Sequence, residues 1–347
     1  MEHTSGSSRV GHICDGSGTA ATRRGLLWFA AAMVATALAL HAPRARAQEG
    51  PYPSRTVNVI TPYASISSGT EPIIRTLLQA LSDKYGQQFV IETRGGANGA
   101  IGMAAAAHAK PDGYTLLFTN ISPTTVLPVV QKNVSFDAAK DFAPIFMIGR
   151  GESFIMAGPS MKAVKDIGEI FRMAKEKPGT VTYSVVGAAQ RLNAAMLESL
   201  TGAKFLIVPY PGTSQAATAL LGGFVDLAVD TGDVKVLSKG GAVRVMATNN
   251  ATRTKANPDI PASAEYAPGF ESRAWHGILG PAGMPRDRIE QLHRDLTAIV
   301  AQPKTRDLML RYGLEPAPMS PDEFGAVIQK DLRNNANLVK QFNIVVD

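Results

Sequence analysis

The side chains best able to do chemistry are sparse in this 347-residue chain. Its single cysteine, Cys14, and three of its six histidines lie in the first 47 residues, which leaves His108, His276 and His293 downstream and no thiol at all. Disulfides, zinc–thiolate sites, iron–sulfur clusters and cysteine nucleophiles are therefore excluded beyond residue 47. His108 ends an alanine-rich stretch near Lys110, His293 falls in a charged helical stretch and His276 adjoins Trp275. None has the local spacing to a second histidine or a carboxylate that a metal site requires, so all three read as surface or packing residues. Asp230 and Asp233 are close in sequence, but nothing in it makes them converge as an acid–base pair. The chain has no GxxxxGK(S/T) phosphate loop, no HExxH pair and no GxSxG elbow. "GGANGAIG" (Gly95 to Gly102) misses the GxGxxG spacing of a dinucleotide loop.

Binding without reaction is the chemistry left. "TPYASISSGTEPIIR" (Thr61 to Arg75) takes an apolar run through a hydroxyl-rich loop into a helical pattern. Ser65, Ser67, Ser68, Gly69 and Thr70 offer donors, Thr70 or Ser68 can cap the helix, and Pro72 fits its first turn. "SVVGAAQRLNAAM" (Ser184 to Met196) repeats the arrangement, with Gly187, Ala188, Gln190 and Arg191 near the helix start. A helix N-terminus presents unpaired N–H groups and a partial positive charge, so it holds a carboxylate without a lysine. An ordinary capped strand–helix turn has the same local sequence.

The elements that must position these loops alternate. "TVNVI" (56–60), "QFVIET" (88–93) and "YTLLFT" (114–119) read as strands, and Ile73, Ile74, Leu77, Leu78 and Leu81 mark a helix face between the first two. A second set follows: Ile167, Ile170, Phe171 and Ala174 as a helical stripe, "TVTYSVV" (180–186) as a strand, a helix over 192–200, a strand ending at "VPYPG", a helix over 216–221 and the strand "VDLAV" (225–229). Alternation of this kind predicts an α/β protein with mainly parallel strands, covered by helices on both faces. "FAPIFMIGRGESFIMAGPS" and "GFESRAWHGILGPAGMP", apolar yet broken by Gly and Pro, suit chain crossings between two lobes, the first built from 48–150 plus 272–347 and the second from 151–271. The C-terminal third is helical, with Ser320 and Glu323 spaced as a capping box. No tandem repeat is visible.

Residues 1–47 carry the parts of an export signal in order: Arg23-Arg24, an apolar run from Leu26 to Leu40 too short to span a bilayer, and Ala45-Arg46-Ala47 before the expected cleavage. "TRRGLLW" is compatible with twin-arginine export as well as with ordinary secretion. The periplasm is the expected compartment. The formal charge of +6 comes from 35 basic and 29 acidic residues; five arginines and two acids, +3, belong to residues 1–47, leaving +3 on the remainder. No basic run interleaved with aromatics occurs, which argues against nucleic-acid binding.

Several stretches together resemble one family, the Bug-type periplasmic solute receptors of tripartite tricarboxylate transporters. "YPSRTVNVITPY", "KPDGYTLLFTN", "DFAPI", "VPYPGTSQAATALLGGFVDLAV", "WHGILGPAGMP" and "LEPAPMSPDEF" follow its pattern in order across roughly residues 51–347, the fourth being the most specific. The resemblance implies a two-lobed periplasmic binding protein fold of type II-like form with two crossover segments. It implies that the lobes close on a small carboxylated solute with no cofactor and pass it to membrane transporter subunits, the receptor being a monomer. Carried over, the ligand-binding segments are Tyr63 to Thr70 and Ser184 to Arg191, with Asn120, Tyr210 and Asp230 lining the cleft and Trp275 near the crossing. The first loop departs from the family's "PFxPGGxTD": it is longer, keeps only Gly69 of the glycines and has Glu71 for the aspartate. The second is shorter than usual and places Arg191 where small or polar residues are common, so Arg191 is expected to contact the ligand carboxylate in place of lost backbone donors. A secreted α/β enzyme acting on a carboxylated substrate, and a ligand-sensing partner of a membrane kinase, are the alternatives.

Overall fold

The computed structural model describes residues 51–342 apart from 65, 67–69, 231–237, 239, 255–256 and 273. The expected export signal lies outside the described residues, as do Ser65, Ser67, Ser68 and Gly69. The chain begins with β1 (Val57–Thr61), α1 (Glu71–Tyr85), β2 (Phe89–Thr93), α2 (Ala100–Ala107) and β3 (Thr115–Asn120). A wide helical turn at Ser122–Val126 then runs into α3 (Leu127–Val130), followed by β4 (Phe142–Gly151), β5 (Phe154–Ala157), α4 (Ile167–Glu176), β6 (Val181–Val185), α5 (Gly187–Thr201) and β7 (Phe205–Pro209). The rest comprises α6 (Thr213–Leu221), β8 (Leu227–Asp230), β9 (Arg244–Thr248), β10 (Ala274–Pro281), α7 (Arg286–Val300), α8 (Pro303–Arg311), β11 (Leu314–Pro316) and α9 (Pro321–Gln341).

The apolar periodicities account for the helices. In α1 the stripe Ile73, Ile74, Leu77, Leu78 and Leu81 is buried, and the helix stops at Gly86 in the left-handed conformation. The stripe Ile167, Ile170, Phe171 and Ala174 is the buried face of α4, whose cap Asp166 accepts from the Glu169 N–H. Ser320 and Glu323 form the reciprocal box that opens α9.

Two sheets result, ordered β2-β1-β3-β10-β4-β11 and β7-β6-β8-β5-β9. The two orders correspond strand for strand up to β4 and β9, although the sequence shows no repeat. Strands β1, β2 and β3 pair in parallel, as do β6, β7 and β8, in keeping with the expected parallel α/β pattern. The other half of each sheet is antiparallel: β10 runs against β3 and β4, β11 against β4, and β5 against β8 and β9. The cause is the chain crossing. Strand β4 leaves the first sheet, and its successor β5 enters the second beside β8; β9 leaves the second, and β10 enters the first beside β3. The two Gly- and Pro-broken stretches expected to be crossings are thus largely strand, and the first crossing shrinks to Glu152 and Ser153. One buried apolar cluster runs from Leu117 and Met147 of the first sheet to Ile155 and Tyr183 of the second, so the two halves share a core.

Candidate functional site

Strands β1 and β6 occupy equivalent positions, each flanked on both sides by parallel neighbours. Their following loops leave at the point where connections diverge to either side, which opens a crevice at the carboxyl ends of the strands. A cavity of about 110 Å³ lies there, lined from both sheets. Tyr63, Ile66 and Thr70 come from the loop after β1, Asn120 and Ser122 from the end of β3, and Val186, Ala189, Gln190 and Asn193 from the start of α5. Thr213 comes from the start of α6, Ser153 and Ser272 from the two crossings, and Trp275 and His276 from β10.

Three helices begin at this cavity, α1, α5 and α6, and none has a side-chain cap. In α5 the Ala189 N–H is satisfied from the other sheet, donating to Ser122 Oγ at 3.0 Å, and the Val186 N–H donates to Gln190 Oε1 at 2.8 Å. Among the described residues the Gly187 and Ala188 N–H groups have no partner. Gly187 is required by this approach: its φ is +75°, and a Cβ there would lie 3.0 Å from Ser122 Oγ. Among the described residues the lining carries no charged side chain, so the field inside comes from helix termini, amides and hydroxyls.

The polar side chains are mostly fixed by one another. Asn120 Oδ1 accepts from the Tyr63 hydroxyl at 3.0 Å and the Ser122 N–H at 2.9 Å, which turns the Asn120 amide nitrogen into the free donor of that side chain. Burial pushes the Tyr63 phenol up, opposed by its hydrogen bonds to Ser122 and Asn120, so it stays a neutral donor. Gln190 donates to the Val229 carbonyl at 3.2 Å, and Asn193 Nδ2 to Ser272 Oγ at 2.8 Å. Trp275 Nε1 donates to the buried Asp331 at 2.9 Å. Two buried polar atoms of lining residues find no partner: His276 Nδ1 and Thr213 Oγ1.

Of the residues expected from sequence, Tyr63, Thr70, Asn120 and Gln190 meet at this cavity. Gly187 and Ala188 stand at its edge as backbone donors. Asp230 ends β8 next to the lining residue Val229; its side chain lies outside the description. Tyr210 packs instead against the apolar cluster of Phe154 and Leu220. Arg191 is half-buried and does not line the cavity. At roughly 100° per residue its position lies roughly 150° around α5 from the centre of the face formed by Val186, Ala189, Gln190 and Asn193. The expected role of Arg191 in holding a carboxylate is therefore not met by this arrangement. His276, read as a packing or surface residue, is buried, and it stands in the cavity wall. Ser122, Ser153, Asn193, Thr213 and Ser272 were also missed, although Asn193 shares a helical face with Gln190.

Two sheets joined by two crossings, with uncapped helix starts around a cavity between them, define a two-lobed solute-binding protein of the periplasmic type. Residues 73–344 match the tripartite tricarboxylate transporter family receptor, TctC, and the chain belongs to that family. A UPF0065 protein of Bordetella bronchiseptica is 31% identical over 310 residues, covering 88% of this chain and 91% of that one. The solved periplasmic binding protein BugD is 29% identical with a TM-score of 0.78, over 85% of this chain and 99% of its own. An R. palustris protein solved with adipate is 26% identical with a TM-score of 0.78, over 85% and 99% respectively. The chain is accordingly a solute-binding receptor and not an enzyme.

Proposed function

We propose that this receptor is exported and captures a small carboxylated organic anion in the cavity between its sheets, then delivers it to the membrane subunits of a tripartite tricarboxylate-type transporter. The observation that carries the reading is the convergence of three helix N-termini, none capped by its own N-cap side chain, on one cavity whose described lining combines apolar side chains with polar but uncharged ones. Such a site supplies N–H donors and partial positive charge to an anion without burying a cationic side chain. Tyr63, Thr70, Asn120, Gln190 and the Gly187 and Ala188 N–H groups form the contacts. The adipate held by a relative of 26% identity supports a carboxylate as the ligand class. In this reading residues 1–47 are the cleaved signal, 48–150 with 272–347 and 151–271 are the closing lobes, and the mature protein works as a periplasmic monomer.

A thermal-shift panel of mono-, di- and tricarboxylates tests it. A true ligand at 100 times its Kd stabilises the protein by about 2.7 kcal/mol. A flat response to every acid, together with a shift from a neutral sugar, overturns the carboxylate reading.

A further inference from the structure

We propose that His276 contacts the bound solute as a neutral imidazole, donating a hydrogen bond from Nε2 to an oxygen of the ligand. The inference rests on the receptor reading above and adds a specificity-determining residue to that site.

The ring is held in place from several directions. His276 lies on β10, paired with Asn120 of β3 on one side and with Gly149 of β4 on the other. The β4 register shifts between His276 and Gly277, an irregularity of the kind that re-aims a side chain beside a functional site. The imidazole lies nearly parallel to the Phe118 ring, centroids 6.0 Å apart with 18° between planes, and the residue is only 6% exposed. A ring so confined has one orientation to offer.

Its two nitrogens are not equivalent. Nδ1 is sealed and has no partner, whereas His276 as a residue forms part of the cavity wall and Nε2 is not among the sealed orphans. A proton on Nδ1 would be a buried donor with nothing to accept it, a costlier orphan than a bare lone pair. The neutral tautomer with hydrogen on Nε2 avoids that cost and directs the ring's only donor to the cavity. Protonating both nitrogens would restore the orphan donor at Nδ1 and bury a charge. Burial alone pushes the imidazole down to about 4. The elements packed on the ring bring Phe118 and Asn120 from β3 and the Gly149 backbone from β4, none of them charged. Asp331 of α9, which packs under the neighbouring residue of the strand, is engaged by Trp275 Nε1. A neutral N–H between an aromatic face and an amide suits a carboxylate, carbonyl or hydroxyl oxygen and offers nothing to a cation.

The test pairs a ligand-free measurement with a binding one. Nitrogen-15 NMR of the protein should find His276 as the Nε2–H tautomer, unchanged between pH 8 and 5.5. For binding the probe is adipate, with the C3 to C8 mono- and dicarboxylates run beside it. His276→Phe keeps the aromatic stack and removes the donor, and should weaken the best binder tenfold or more. His276→Gln restores an N–H near the Nε2 position and should come within threefold of the wild type, a recovery that a purely packing role would not produce. Equal binding by the wild type and His276→Phe overturns the contact and leaves the receptor reading intact, and an Nδ1–H tautomer or an imidazolium overturns it whatever binds. A wild type that binds none of these acids counts against the carboxylate reading and this contact together.

Discussion

Acid should destabilise this protein through His276 in a window that its burial defines. The ordinary imidazole value is 6.5, and burial lowers it to about 4 in the folded protein. Because the folded-state value is depressed, the unfolded chain takes up a proton between pH 6.5 and 4 that the native protein refuses, and stability falls as pH falls across that window. Above pH 6.5 both states are neutral and the effect is nil; below pH 4 both are protonated and the loss stops growing. At about 1.4 kcal/mol per pH unit over this interval the accumulated loss is about 3 kcal/mol, of the order of a third of a typical domain's stability. Carboxylates elsewhere also respond to acid, so the informative quantity is a difference. Urea unfolding of wild type and His276→Phe at pH 7.5, 6.5, 5.5 and 4.5 should give stability curves that converge with acid, the wild type losing most of this extra amount by pH 4.5. The substitution keeps a ring against Phe118 and removes the titrating group. Parallel curves would refute the reasoning, because they would mean that the unfolded and folded imidazoles titrate alike.

Other residues give independent tests. Gly187→Ala forces a Cβ into a backbone with φ of +75° and to within 3.0 Å of Ser122 Oγ; it should cost about 1–2 kcal/mol in thermal unfolding and weaken ligand binding as well. Arg191→Ala should leave the Kd for any carboxylate ligand within twofold in calorimetry, since the residue is not among those lining the cavity. Ser320→Ala removes the capping box of α9 and should lower stability by about 1 kcal/mol with affinity unchanged. Asn249→Ala keeps the backbone bonds to both crossings but removes the buried Nδ2 bond to Ser153 Oγ, and should cost about 1–3 kcal/mol, with ligand-induced stabilisation reduced too.

The sequence is legible where one physical rule acts alone. Ile73 to Leu81 and Ile167 to Ala174 are helical because apolar residues recur at the helical period, and Ser320 with Glu323 marks a helix start because two orphan donors are satisfied at that spacing. Strand direction is not written in that way. Strands β4 and β10, rich in Gly and Pro, pass for crossings because their local pattern is broken, and only pairing with β3 and with each other makes them strands. The cavity shows the same division. Thr70 and Gln190 follow from strand–loop–helix logic and Tyr63 from the family resemblance, whereas His276, Ser153 and Ser272 reach it through the crossings, which no local spacing reports. Arg191 illustrates the reverse error: a cation at a helix start draws notice by its charge, yet helical rotation decides what it faces.

That division explains why one buried amide matters more than its type suggests. Asn249 follows β9, is fully buried, and is bonded to both crossing segments at once. Its N–H donates to the Ser153 carbonyl at 2.8 Å and its Nδ2 to Ser153 Oγ at 3.0 Å, while its own carbonyl accepts from the Ser272 N–H at 2.9 Å. Ser272 Oγ in turn accepts from Asn193 on α5, and Ser153, Asn193 and Ser272 all line the cavity. The segments that must flex if the lobes move are therefore the same segments that form part of the wall. A solute touching Ser153 or Ser272 would touch the crossing segments themselves, and through Asn249 and Asn193 the hydrogen bonds that tie them to β9 and α5.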